Sequence, residues 1–128
     1  MGDPASIGPE IAIKALLTEE IYHICRPILI GNAAVFQQII EKLSLPATIH
    51  PIQDVQQAKY IVGQPDVYDL GNIDLNEVKF GEVSIAAGDA AFQSVKKVIE
   101  LAMDGQLAAT VTGPINKKSI SEAGHAFP

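Results

Sequence analysis

Along the chain, apolar residues recur at helical spacing in some stretches and gather into short unbroken runs in others. Residues 9 to 17 (PEIAIKALL) predict a helix, with Pro9 in the first turn, where its missing N–H is not needed. Arg26 to Gly31 (RPILIG) reads as a short strand. Asn32 is placed to cap the next segment, AAVFQQIIEKLSL, in which Val35, Phe36, Ile39, Ile40 and Leu43 fall on one helical face. Ala47 to Ile52 and Asp66 to Leu70 read as further strands, with a helix around Asp54 to Tyr60 between them. From Ser84 to Asp104 the pattern is again helical, with Phe92, Val95, Ile99 and Ala102 on one stripe, until Gly105 ends it. Leu107 to Thr112 (LAATVT) has no alternation and predicts a strand covered on both faces. Gly113-Pro114 then opens a last helical stretch that ends near Gly124.

Strands alternating with helices predict an α/β fold with a mainly parallel sheet flanked by helices, because parallel strands need crossover connections that cover the faces. No internal repeat or linker divides the chain. A glycine-rich turn that opens a helix normally follows a strand, yet GDPASIGPE starts at residue 2. The expectation is therefore one partial α/β domain, residues 1 to 128, of a longer two-domain protein, lacking its first strand and everything after the loop at Pro128.

Composition narrows the functions. Nine basic and fifteen acidic residues give a net charge of -6, which offers no footprint for nucleic acid. No run is long enough for a membrane span and no signal peptide is evident, so a cytoplasmic protein is expected. The one cysteine, Cys25, cannot form an internal disulfide and reads as a small buried hydrophobe. His23, His50 and His125 show no ligand spacing and read as surface or packing residues, so no metal site is expected within this chain.

Two segments combine glycine, proline and a functional side chain at a helix start: Gly2 to Glu10 (GDPASIGPE) and Thr112 to Lys117 (TGPINK). Helix amino termini present unpaired N–H groups and the positive end of the helix dipole, and glycine lets a ligand approach the backbone. Each segment would suit a phosphate or carboxylate. Equally, Asp3 could be a turn former and Lys117 a solvated first-turn lysine.

MGDPASIGPE resembles the opening of the 4-hydroxythreonine-4-phosphate dehydrogenase family (PdxA), and VTGPINK at 111 to 117 resembles its second signature. KFGEVSIAAGDAAF at 79 to 92 resembles the segment leading into that family's long helix, and SEAGHAFP the stretch before its Gly-His-Thr-Glu motif. The resemblance implies an isocitrate/isopropylmalate dehydrogenase-like fold and a homodimer that uses NAD and a divalent metal. It further implies oxidation of 4-phosphohydroxy-L-threonine, with decarboxylation of the keto acid, on the way to pyridoxal phosphate. The alternatives are a paralogue acting on 4-phospho-D-threonate or 4-phospho-D-erythronate, and a non-catalytic module that binds a phosphorylated ligand. The family's metal-binding histidines come later than Pro128, so none is carried onto this chain. The positions implied to line the substrate or cofactor cleft are Asp3, Ile7, Thr112, Gly113, Asn116 and Lys117, with no proton-transfer role assigned. Ser6 stands where the family usually has glycine, and would be strained if that position required a positive φ.

Overall fold

A computed structural model describes residues 1–126. Its elements run α1 (Gly8–Leu16), α2 (Glu19–Ile24), β1 (Leu29–Gly31), α3 (Ala33–Leu43), β2 (His50–Ile52), β3 (Asp66–Asp69), α4 (Ile85–Met103) and α5 (Lys117–Glu122). The three strands form one sheet in the order β1-β3-β2, and both pairings are parallel. Leu29 lies opposite Val67, and Ile30 opposite Tyr68. Successive residues of a strand point to opposite faces. Leu29 and Val67 accordingly join Ile13 and Leu16 of α1 and Phe36 and Ile40 of α3 in one core cluster, while Ile30 packs with Val55 and Leu101 of α4 in another. The result is the expected parallel sheet between helical layers.

Local chemistry sets several boundaries. The Asn32 carboxamide accepts from the Ala34 and Val35 N–H groups, so α3 starts where the sequence places it. Ser84 caps α4 through the Ala87 N–H, and Gly105, at φ +74°, follows its end. The buried face of α4 is not the predicted Phe92-Val95-Ile99-Ala102 stripe. Ala87, Gly88, Ala90, Ala91, Ser94 and Leu101 are buried instead, and Ile99 is exposed. Small residues take that face because α5 packs directly on it. A Cβ on Gly88 would run into the Ser119 carbonyl and lie 2.7 Å from the Ile120 nitrogen.

Three other expectations are corrected. The helix around Asp54 to Tyr60 is only a single 3-10 turn, Val55–Gln57, inside a reciprocal Asp54–Gln57 capping box. Tyr60 takes a positive φ of 55°, and the buried Asp66 carboxylate accepts from the Lys59 and Tyr60 N–H groups, which holds this backbone away from helical geometry. Residues 107 to 112 form no strand; they are irregular and largely exposed, with Val111 97% accessible, and no sheet edge among the described residues pairs with them. Cys25 is exposed, at the end of α2, and its thiol faces the Ile21 carbonyl at 3.3 Å. Helix α2 itself escapes the sequence pattern because none of its residues is buried.

Asp66 also lies 2.6 Å from His50 Nδ1, so one carboxylate joins β2, β3 and the loop between them. Asp66→Ala leaves buried donors without an acceptor and is expected to destabilise the chain by about 3 kcal/mol, read as a lower urea midpoint. A midpoint equal to wild type would show that water replaces the carboxylate.

Candidate functional site

The two glycine-proline segments, from opposite ends of the chain, meet backbone to backbone. The Asp3 N–H donates to the Pro114 carbonyl at 2.8 Å. Gly2 has φ +75°, and a Cβ there would lie 2.6 Å from the Pro114 oxygen. A Cβ on Gly8 would lie 2.5 Å from the Met1 oxygen, and one on Gly113 would lie 2.7 Å from the same atom. These glycines are needed for close approach as well as for turn geometry. The Met1 nitrogen donates to the Ile30 carbonyl at 2.9 Å, which fixes the first loop beside β1.

Within the first loop, the Asp3 carboxylate is buried and accepts from the Ala5 N–H at 2.8 Å, while the Ser6 N–H donates to the Asp3 carbonyl. Asp3 is therefore a turn former, as one sequence reading had it. Its position also borders a cleft. Ser6 is not strained, because the only non-glycine residues with positive φ among those described are Ser44 and Tyr60. Helix α1 begins after Ile7 with no side-chain cap and with Pro9 in its first turn. In the second loop, Asn116 caps α5 by accepting from the Ser119 N–H at 3.1 Å.

These loops border a cleft of about 360 Å³ lined by Asp3, Ala5, Ser6, Ile7, Ile115 and Asn116 on one side, and by Phe80 to Val83 on the other. The third wall belongs to the connection that leaves the carboxyl end of β3, the usual ligand side of a parallel sheet. It is tied down by the Gly81 N–H, which donates to the Ala5 carbonyl at 2.7 Å, and the Lys42 ammonium lies 5.6 Å from the centre of the Phe80 ring. No residue of this wall is among those nominated for the cleft, although Phe80 to Val83 lie within the KFGEVSIAAGDAAF segment that carries part of the family resemblance. The signal available was an exposed aromatic beside a glycine, just ahead of the Ser84 cap.

Of the residues nominated from sequence, Asp3, Ile7 and Asn116 line the cleft. Gly113 sits behind them against Met1 and Gly2. Thr112 and Lys117 are exposed and outside the lining. The histidines are dispersed. His23 is exposed, His50 binds Asp66, and His125 stacks on Phe92 with ring centres 3.7 Å apart while its Nε2 lies 2.7 Å from Asp89. Among the described residues, no three His, Cys, Asp or Glu side chains converge on a point that could hold a metal ion. No described helix is long and apolar enough to cross a membrane.

In a parallel α/β sheet, loops at the carboxyl ends of the strands commonly border ligand sites, and the two glycine-bounded loops border a cleft here. Comparison with known proteins makes the assignment specific: residues 23–128 match the family model of the pyridoxal phosphate biosynthetic protein PdxA, and the chain belongs to that family. It is 45% identical over 123 residues to a protein of Symbiobacterium thermophilum provisionally named D-threonate 4-phosphate dehydrogenase, covering 96% of this chain and 37% of the relative. A Clostridium botulinum protein of the same provisional name is 44% identical over 122 residues, covering 95% of this chain and 36% of its own length. Among solved structures, a 4-hydroxythreonine-4-phosphate dehydrogenase from Burkholderia phymatum superimposes with TM-score 0.95 at 38% identity, covering 100% of this chain and 38% of that one. The Klebsiella pneumoniae 4-hydroxythreonine-4-phosphate dehydrogenase gives TM-score 0.92 at 34% identity, covering 100% and 39%. The chain thus spans little more than a third of the length of these relatives.

Proposed function

We propose that the full-length protein is an NAD-dependent dehydrogenase of a small phosphorylated hydroxy acid, and that this chain supplies one wall of its reaction cleft. The observation that carries the reading is the meeting of the GDPASIGPE and TGPINK loops around one cleft, through contacts that only glycine at residues 2, 8 and 113 permits. Two substrates fit this class. Both 4-phospho-D-threonate and 4-phosphohydroxy-L-threonine carry a hydroxyl β to the carboxylate. Oxidation passes the C–H hydride to the nicotinamide and releases the hydroxyl proton, and the β-keto acid so formed can lose carbon dioxide. They differ at the carbon next to the carboxylate, a hydroxyl in the first and an amine in the second. The names of the relatives at 44% and 45% identity favour the first, and those of the solved structures at 38% and 34% favour the second.

Asp3, Ile7 and Asn116 are assigned to the cleft wall, Gly113 to its support, and Thr112 and Lys117 to its rim. The described residues provide no metal cluster, and no step assigned to them depends on one. A homodimer in the cytoplasm completes the proposal. Substrate-dependent reduction of NAD by the full-length protein tests it directly. In that assay Lys117→Ala is expected to raise the Michaelis constant for the phosphorylated acid about tenfold or more, the worth of one charge-assisted hydrogen bond, with turnover less affected. Unchanged kinetics would mean that Lys117 is merely solvated.

A further inference from the structure

Strand β1 and residues 107 to 112 present unpaired backbone on the two sides of the first loop. Successive residues of a strand turn their backbone groups to opposite edges. The Gly31 carbonyl accepts from the Leu70 N–H just past β3, so Gly31 faces β3 and Ile30 faces the other edge. There the Ile30 carbonyl meets the Met1 nitrogen at 2.9 Å, and no strand among the described residues pairs with that edge. On the far side of the same loop, the Asp3 N–H donates to the Pro114 carbonyl, and a Cβ on Gly113 would lie 2.7 Å from the Met1 oxygen. One backbone, Met1 to Asp3, therefore separates β1 from the second motif, and the two outer backbones stand two strand spacings apart, about 10 Å. Leu107, at the start of the run that leads to Gly113, packs on the cluster of Ile30, Val55 and Leu101. None of the N–H or C=O groups of Leu107 to Thr112 is hydrogen-bonded among the described residues, although the run is uncharged and Val111 is 97% exposed.

We infer that the open edge of β1 and residues 107 to 112 are the two sides of a slot for one extended segment of the same polypeptide, from outside residues 1–128, whose backbone pairs with both. The chain spans little more than a third of its relatives' length, so the remainder is long enough to supply it. Pairing turns residues 107 to 112 into a strand and extends the sheet from three strands to five, in the order 107–112, added segment, β1, β3, β2. The two faces of the sheet set the chemistry of the segment. One face carries the cluster of Ile13, Leu29 and Phe36, and the other that of Ile30, Leu101 and Leu107, so its side chains are covered in both directions. The segment is accordingly a short uncharged run rich in β-branched residues rather than an alternating one. It covers an open edge that would otherwise invite aggregation. It also ties the second motif loop to β1 along its whole approach, where the described contacts hold it only through Met1 to Asp3. The inference is independent of the dehydrogenase reading and rests on the chain's being part of a longer protein.

Hydrogen exchange of the full-length protein, read by mass spectrometry on peptides covering residues 107 to 112, tests it. Amides of that run are expected to exchange at least about a hundredfold more slowly than an unstructured peptide of the same sequence, as paired strand amides do. Val111→Lys reads the same burial a second way. It is expected to lower the urea midpoint of the full-length protein, because the lysine replaces a side chain that the completed sheet covers, whereas at a position left 97% exposed it would change nothing. Exchange at the unstructured rate overturns the inference, and so does a Val111→Lys midpoint equal to wild type. Dilution separates the sources. Protection that persists in the monomer supports a segment of the same polypeptide, and protection that disappears on dissociation means that a second copy supplies it, which overturns the assignment. Neither readout is turnover, so a protected but inactive protein would count against the dehydrogenase reading alone.

Discussion

Gly2→Ala is expected to part the two loops that make the cleft and to destabilise the chain by about 2 to 4 kcal/mol. Two effects add. An L side chain at φ +75° carries the strain of the left-handed region, on the order of 1 kcal/mol, and the new methyl must displace the Pro114 carbonyl, a backbone atom that cannot rotate away. Gly105→Ala separates these effects, because Gly105 has a similar φ of +74° and nothing within 4 Å of its Cβ position. That control should lose only the conformational part, about 1 kcal/mol. Urea unfolding of the three proteins measures the difference directly. Equal losses for the two variants would mean that the contact between loops contributes nothing. In the full-length protein Gly2→Ala should also lower activity far more than Gly105→Ala, since only Gly2 touches the second motif.

Gly88→Ala is the second change with a large expected effect. A helix-interior Gly→Ala substitution ordinarily stabilises by up to about 1 kcal/mol. Here the added methyl meets the Ser119 carbonyl and the Ile120 nitrogen, the backbone of α5, so the sign reverses and a net loss of about 2 to 3 kcal/mol is expected. Because Asn116 begins α5 and lines the cleft, the variant should also speed hydrogen exchange of the α5 amides and displace Asn116. A stabilised protein with unchanged exchange would show that α5 is not seated on α4 in solution.

The elements that sequence makes legible are those whose signals are local. Asn32 caps the helix it is expected to cap, the helical pattern that begins at Ser84 is α4, and the α1 pattern with its early proline fixes that helix within a residue. Long-range partners decide the rest. Residues 107 to 112 have the composition of a buried strand, but a strand exists only where a neighbour offers its hydrogen bonds, and composition does not reveal the neighbour. The Asp54 to Tyr60 segment looks helical until Asp66, a distant residue, takes the N–H groups of Lys59 and Tyr60. On α4 the larger apolar residues drew the predicted stripe, whereas the closest packing demanded the smallest ones.

The site follows the same division. Both motif loops were legible because glycine and proline at helix starts carry their own geometry, and Asp3, Ile7 and Asn116 of the six nominated residues share one pocket lining. The rest of the lining was not a local property, because the connection after β3 brings Phe80 to Val83 to a pocket that the two motif loops begin. The strain feared at Ser6 depended on a φ value that sequence does not state, and the backbone there is relaxed.

The most direct test of the central claim is an absorbance assay for NADH with the full-length protein, offering 4-phospho-D-threonate, 4-phospho-D-erythronate and 4-phosphohydroxy-L-threonine in turn, with and without a divalent metal. The account predicts NAD reduction that depends on one of these acids and falls sharply in Gly2→Ala. Absence of NAD reduction with all three, in protein shown to be folded, would contradict it and favour a module that binds a phosphorylated ligand without turnover.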